Sequence, residues 1–475
     1  MAVHEQFLRF ASGNEQRSIS REDLGFYHAV IVGALYEFGD DVDAYSPSSY
    51  YQPLRQCIEE HAYLHVAIGD THTDKAFYHH VLDIHLEQHV VMADHTASSD
   101  DLTGIQKVLA DDLDKPFPTG VPPWRITVLP LRTGCFIAFS YSHSIGDGWT
   151  GVVFHHTFLN AFRKCPISSR SVDPLVKIPP RPLPPPFDTP ERLPISWSYL
   201  IAPLVAMILP AFVTKLLRLR VSVSAVNTST WTGSLSRFDA ETHRTKVVVY
   251  EIEEHILSSA IRAARDHDAK LTATFHGIVS RALSRAIPDR KYTNFASLTA
   301  VNMRTSIGIP VDEMGNFVSG LYMSHPRDDT RGDFSDDFWA AACANTHKLM
   351  AAASALSDQP IGLLRYLLSI RKWLVGRIGK QRDSSYEVSN IGSFDAENHL
   401  SNNSDETARI TKMAFAQPGH VSSSVMAFNL ASVKGGNLIY SVTWQQGALG
   451  IDEENEDSLV HSICATIRQD LESLV

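Results

Sequence analysis

Two segments, far apart in the chain, carry side chains suited to acid–base chemistry. The first is Ser140-Tyr141-Ser142-His143-Ser144-Ile145-Gly146-Asp147-Gly148-Trp149. An imidazole titrates near neutrality, so a well-placed His143 can take a proton from a nucleophile and later return it. Asp147 stands one short turn beyond it, between Gly146 and Gly148, where the backbone can bend tightly without a side chain to clash. A turn histidine bonded only to its own loop would have the same spacing. The second segment is Asn302-Met303-Arg304, followed shortly by Met314-Gly315-Asn316-Phe317-Val318-Ser319-Gly320. A buried Asp147 needs a cationic or hydrogen-bonding partner, and Arg304 offers a bidentate fork. The alternative for Arg304 is a surface arginine at a strand end.

The elements that would position these groups are legible from hydrophobic period. Residues 135–139 are a continuous apolar run and predict a buried strand ending at His143, with Ile137, Phe139, Tyr141 and His143 on one face. A helix is predicted over 152–162. Pro122-Pro123-Trp124-Arg125 leads into a strand through Leu129, and a turn at Thr133-Gly134 pairs it with the motif strand as a hairpin. Upstream, strands over 27–36 and 63–68 flank a helix over 51–61. On a helix, His85 and His89 would present a zinc pair beside His79 and His80. However, Val81-Leu82-Asp83-Ile84 is β-rich and no cysteine or HExxH context accompanies it, so surface and strand histidines are expected and no metal. In the second half, strands are predicted at 246–250, 299–302 and 385–394, and a pair of strands flanks Gly435-Gly436. Helices are predicted at 254–267, 273–286 and 453–474.

Length implies two cores, since 475 residues exceed what one ordinary core organises. Prolines crowd 173–194 and predict an extended, semi-rigid crossover, or alternatively a docking site for a partner. The expected division is 1–172, a crossover with a hydrophobic helix over 173–230, and 231–475. Residues 195–214 lack charge and are closed by Lys215, Arg218 and Arg220. Pro203 and Pro210 argue against a spanning helix, and a span would separate the two halves of a shared site. A kinked helix packed on the protein, or lying on a membrane surface through 195–220, is expected instead. The chain is 44% hydrophobic and 20% charged, as globular proteins are. Its net charge of −11 argues against nucleic acid as a partner, though an anionic co-substrate needs only a local site. Cys57, Cys135, Cys165, Cys343 and Cys464 have neither metal nor disulfide spacing and read as free, buried thiols. The N-terminus lacks a basic region followed by an apolar one, so a cytoplasmic location is expected, with peripheral membrane contact as the variant.

His143-x-x-x-Asp147-Gly148 resembles the HxxxDG signature of acyltransferases with the chloramphenicol acetyltransferase fold. These include acyl-CoA-dependent acyltransferases, alcohol acetyltransferases and the condensation domains of nonribosomal peptide synthetases. Asn302-Met303-Arg304 and Gly315-Asn316-Phe317-Val318 resemble the N-x-R and G-x-F-V elements of the same superfamily, in the same order, and a P-x-W-R segment precedes the motif strand there too. Ser389-Asn390-Ile391-Gly392 is similar to a strand end of fungal alcohol acetyltransferases, while the DFGWG element of the plant branch is missing. Many relatives carry a second histidine before the motif histidine, where this chain has Ser142, which favours an acetyltransferase over a peptide-forming condensation enzyme.

The resemblance implies an α/β (α+β) fold of two lobes, with mixed sheets, flanking helices and an active-site tunnel between the lobes. It implies that His143 is the catalytic base and that Asp147, Gly148 and Arg304 support the site. Asn302, Asn316, Ser389, Asn390, Gly392 and Ser423 would then lie near substrate or acyl donor; apart from the resemblance, the hydroxyls of Ser422 to Ser424 are themselves a candidate oxyanion donor. The implied reaction moves an acyl group, acetyl above all, from acyl-CoA to a hydroxyl or amine of a small molecule such as an alcohol or secondary metabolite. Acyl-CoA is a co-substrate rather than a bound cofactor, and a monomer is expected. The rival readings are a condensation-like enzyme using a carrier-protein donor and a non-catalytic relative. A serine hydrolase is disfavoured because no G-x-S-x-G elbow occurs.

Overall fold

The computed structural model describes residues 6–39, 42–94, 100–164, 173–201, 223–330, 332–395 and 408–475. The chain runs β1 (Gln6–Phe10), α1 (Gly13–Asp23), β2 (Ala29–Phe38), α2 (Tyr51–Glu60), β3 (Val66–Gly69), β4 (Phe77–His80), β5 (Asp83–His85), β6 (Val90–Met92), α3 (Asp101–Leu113), β7 (Trp124–Pro130), β8 (Cys135–Ser142) and α4 (Gly148–Lys164). It continues with β9 (Leu175–Lys177), β10 (Thr245–Ile252), α5 (Glu254–Asp266), α6 (Leu271–Ala286), β11 (Asn294–Asn302), β12 (Val318–Pro326), α7 (Asp336–Ser354), α8 (Ile370–Val375), β13 (Ser384–Phe394), β14 (Ala408–Ala416), β15 (Ser424–Val433), β16 (Leu438–Gln445) and α9 (Glu453–Glu472).

Two mixed sheets organise the molecule. One has the order β14-β2-β8-β7-β6, the other β10-β16-β15-β13-β11-β12. Alternation on β8 works as expected: Ile137, Phe139 and Tyr141 enter the core shared with α2 and α4, while Phe136 and Ala138 face a second layer with α3. That second layer also holds Val247, Val249 and Ile439 of β10 and β16, so apolar packing joins the two sheets. Helices α5, α6 and α9 cover the other face of the six-stranded sheet.

The two sheets exchange one strand: β14, within 231–475, pairs antiparallel with β2, Ala414 opposite Gly33. No local pattern announces this, because an apolar strand fits either sheet. The strand expected over 63–68 starts at Val66, after a tight 3-10 turn over Ala62–His65. Helix α1 went unanticipated, although Ser12 and Glu15 form a capping box at its start. His85 and His89 do not share a helix: His85 is an exposed strand residue, while His89 is buried, stacks on Trp124 at 4.0 Å and bonds its carbonyl. Among the described residues there is no cluster of metal-ligating side chains and no helix long and apolar enough to cross a membrane. The hydrophobic helix expected from 195 falls largely outside the described residues. In the proline-rich stretch, β9 pairs with β5, and Leu183, Phe187 and Leu193 are buried. Cys57, Cys135 and Cys464 are buried free thiols, whereas Cys343 is only partly buried; Cys165 lies outside the described residues.

The fold buries many neutral imidazoles. Burial pushes His61, His89, His155 and His325 down from 6.5 to about 4. Unfolded, each binds its proton near pH 6.5, so between roughly pH 6.5 and 4 the unfolded chain holds more protons. Stability is therefore expected to fall as pH drops through this window, by up to about 1.4 kcal/mol per pH unit for each histidine. Urea unfolding at pH 7.5, 6 and 5 checks this; an unchanged midpoint would contradict it.

Candidate active site

The turn after β8 is held from the second sheet. Arg304 Nη1 and Nη2 donate to the two oxygens of Asp147 at 2.8 and 3.0 Å, and both residues are almost fully buried. The Asp147 carboxylate also accepts from Phe317 N at 2.9 Å and Thr150 N at 3.2 Å. Arg304 spends its other donors on the carbonyls of Glu313 and Gly315. Every lone pair and N–H that matters is thus met inside the protein, which is what makes a buried ion pair tolerable. The glycines of the turn serve close approach, not left-handed backbone. A Cβ on Gly146 would sit 2.5 Å from Thr150, and one on Gly148 2.8 Å from Ile391.

This clamp sets His143 just past the strand end. The Asn316 amide nitrogen donates to the His143 carbonyl at 2.9 Å and lies 3.0 Å from ring Nδ1, and the same amide touches Ser18 Oγ of α1 at 3.4 Å. Burial first, then the positive charges of Arg21 and Arg17, push the imidazole down to about 3. His143 is therefore neutral across physiological pH, the state a proton acceptor requires.

His143 lines a cavity of about 430 Å³ between the two sheets. Leu298, Ala300, Val318, Ile361, Leu364 and Trp373 make much of its wall apolar. The polar part comes from three places that sequence reasoning missed. Arg17 and Arg21 project from one face of α1, a helix turn apart. Tyr27, just before β2, lies with its ring centroid 5.8 Å from that of His143 and 5.8 Å from that of His420. His420 Nε2 is 3.0 Å from Glu387 Oε2, and Gln417 bridges Glu387 Oε1 and the Tyr27 hydroxyl. Burial alone would raise the Glu387 carboxyl, but the His420 ring and Gln417 amide hold it below its ordinary value. Gln417 and His420 reach the cavity because the link from β14 to β15 crosses from one sheet to the other.

Of the residues anticipated for the site, the structure brings together His143, Asp147, Arg304 and Asn316. Ser423 lines the cavity too, with its hydroxyl bonded to Asp383 at 2.8 Å. Asn302 instead caps the turn, accepting from Arg304 N at 3.0 Å. Ser389, Asn390 and Gly392 do not line this cavity: the Asn390 amide bonds Thr272, and Gly392 is exposed. Ser142 points to the opposite face, onto Glu22 and Ser144, so the position occupied by a second histidine in relatives lies off the cavity wall. The one signal for Arg17 and Arg21 was the capping box that starts their helix.

A family model for alcohol acetyltransferases matches residues 108–471. The chain belongs to that family. A Schizosaccharomyces pombe protein of uncharacterized role is 24% identical over 494 residues, 98% of this chain and 97% of that one. A probable alcohol acetyltransferase of Fusarium pseudograminearum is 23% identical over 231 residues, 47% of this chain and 46% of its own length. Among solved structures, the trichothecene 15-O-acetyltransferase TRI3 of Fusarium sporotrichioides has a TM-score of 0.66 at 10% identity, covering 97% of this chain and 94% of that chain. That likeness shows the two-lobed acyltransferase fold. By family and fold, this member of the alcohol acetyltransferases is an acyltransferase.

Proposed function

We propose that the protein transfers an acetyl group from acetyl-CoA to a hydroxyl of a small apolar molecule, with His143 as general base. The observation that carries this is a neutral imidazole, fixed from behind by Asn316, facing a largely apolar cavity between two sheets. The tautomer that serves as base carries its proton on Nδ1, toward the residue's own carbonyl, and keeps the Nε2 lone pair for the acceptor; in that tautomer the Asn316 amide donates to the His143 carbonyl alone. Nε2 takes the hydroxyl proton as the oxygen attacks the thioester carbonyl; the tetrahedral intermediate then expels the thiolate, and the imidazolium returns the proton to sulfur. No acyl-enzyme is required, since both substrates meet in one cavity. Asp147 moves no proton, because both its oxygens are committed to Arg304 and main-chain amides.

Ser319 supports an oxyanion site. Its hydroxyl is buried, lines the cavity and has no hydrogen-bond partner among the described residues. Ser319→Ala is expected to lower kcat on the order of 10²-fold with KM and melting temperature little changed. An unaltered kcat would remove Ser319 from the mechanism. Thiol release from acetyl-CoA, followed with a panel of alcohols and amines, tests the function as a whole. Release that needs an alcohol supports it. Release without acceptor means hydrolysis, and none with any acyl-CoA points to a carrier-protein donor or a non-catalytic protein.

A further inference from the structure

Arg17 and Arg21 are the unusual feature of the cavity. Both guanidinium groups line it beside His143, and among the described residues neither forms an ion pair with any carboxylate. Their Nε atoms are buried without a hydrogen-bond partner. Arg17 makes one long contact, 3.4 Å to Asn14 Oδ1, and Arg21 lies over the Tyr27 ring at 4.2 Å. The carboxylates in the same wall make their hydrogen bonds elsewhere, Glu387 with His420 and Gln417, Asp383 with Ser423, Tyr322 and Arg377, and reach the two arginines only through a longer-range Coulombic pull. Two cations one helix turn apart repel each other, and burying them unpaired is costly. Helix α1 is nevertheless anchored in place, with Asn14 N bonded to Asp188 and Ser18 in contact with the Asn316 that holds His143.

We propose that Arg17 and Arg21 form the binding site for an anionic group on the acceptor, a carboxylate, so that the substrates are apolar hydroxy acids. This rests on the acyl-transfer reading only for the word acceptor; the anion site itself does not need it. Planar forks suit a carboxylate, and the apolar wall formed by Leu298, Val318 and Leu364 suits the remainder of such a molecule. Burial is the main cause of the depressed His143 imidazole, and a carboxylate placed there would offset the second, the positive charge of Arg21 and Arg17.

Calorimetric titration without acyl-CoA tests the site. The probes are mandelate, 3-phenyllactate and 12-hydroxydodecanoate, each against its uncharged amide. At least one acid is expected to bind about 10–100-fold more tightly than its amide, as a charge-assisted pair predicts. His143→Ala should keep that preference, Arg17→Met/Arg21→Met should erase it, and Arg17→Lys/Arg21→Lys should retain part of it. Equal binding of acid and amide in the wild-type protein overturns the proposal, and so does an acid preference that survives the double Met substitution. Coenzyme A and pantetheine form a second arm. If the Met variant loses affinity for coenzyme A but not for the acids, the pair serves donor phosphate and the proposal is wrong. Acid binding without any thiol release would leave the anion site standing and refute acetyl-CoA as the donor.

Discussion

His143→Ala is expected to lower acceptor-dependent thiol release by about 10²–10⁴-fold, the range that a positioned general base supplies. The fold should survive. The ring sits at the edge of a cavity, and among the described residues its polar neighbours are Asn316 and its own carbonyl. A melting temperature close to wild type with turnover near background is the expected pair of results. Turnover within a factor of a few of wild type would remove His143 from the chemistry. His143→Gln separates shape from basicity, because it fills the site but accepts no proton, and it should be as inactive as the alanine variant.

The second large effect is on stability. Arg304→Met should destabilise the protein by about 3–5 kcal/mol, since it strands the Asp147 carboxylate in a buried turn with only main-chain donors left. The carbonyls of Glu313 and Gly315 lose their donor in the same step. Arg304→Lys should recover only part of this, because an ammonium cannot donate to both carboxylate oxygens and both carbonyls in one plane. Urea denaturation of the two variants, together with Asp147→Asn and Arg304→Met/Asp147→Asn, gives the coupling between the partners. Losses that simply add would mean that the pair is not acting as a clamp between the sheets. Activity is expected to fall in these variants as well, through displacement of the turn that presents His143.

Much of this was legible in one dimension for a definite reason. A strand has a two-residue period and a helix a period near 3.6, so β8, α4, β10 and α9 declare themselves within their own residues. The pairing of Asp147 with Arg304 came from the resemblance to the HxxxDG and N-x-R elements, and chemistry supports it: a buried carboxylate demands a partner, and a guanidinium fork at a strand end can supply it. Where local pattern failed, the competing choices cost nearly the same locally. Residues 62–65 close a 3-10 turn before β3 begins, and β14 pairs with β2 although its neighbours in the chain belong to the other sheet. Ser389, Asn390 and Gly392 matched a motif but lie away from the cavity: Ser389 is buried, the Asn390 amide bonds Thr272 and Gly392 is exposed.

What the sequence by itself determined is therefore the strand-turn-helix that carries His143, the identity of its supporting Asp147 and Arg304, and the two-sheet economy of the chain. Only the tertiary structure decided the character of the cavity. Tyr27 and Gln417 touch across 390 positions of chain, and Asn316 meets His143 across 173. Arg17 and Arg21 belong to a short polar helix that looks like surface until it packs against the 3-10 segment Pro360–Tyr366 and α8. Such long-range meetings depend on which apolar faces find each other, a global choice that no residue's neighbours encode.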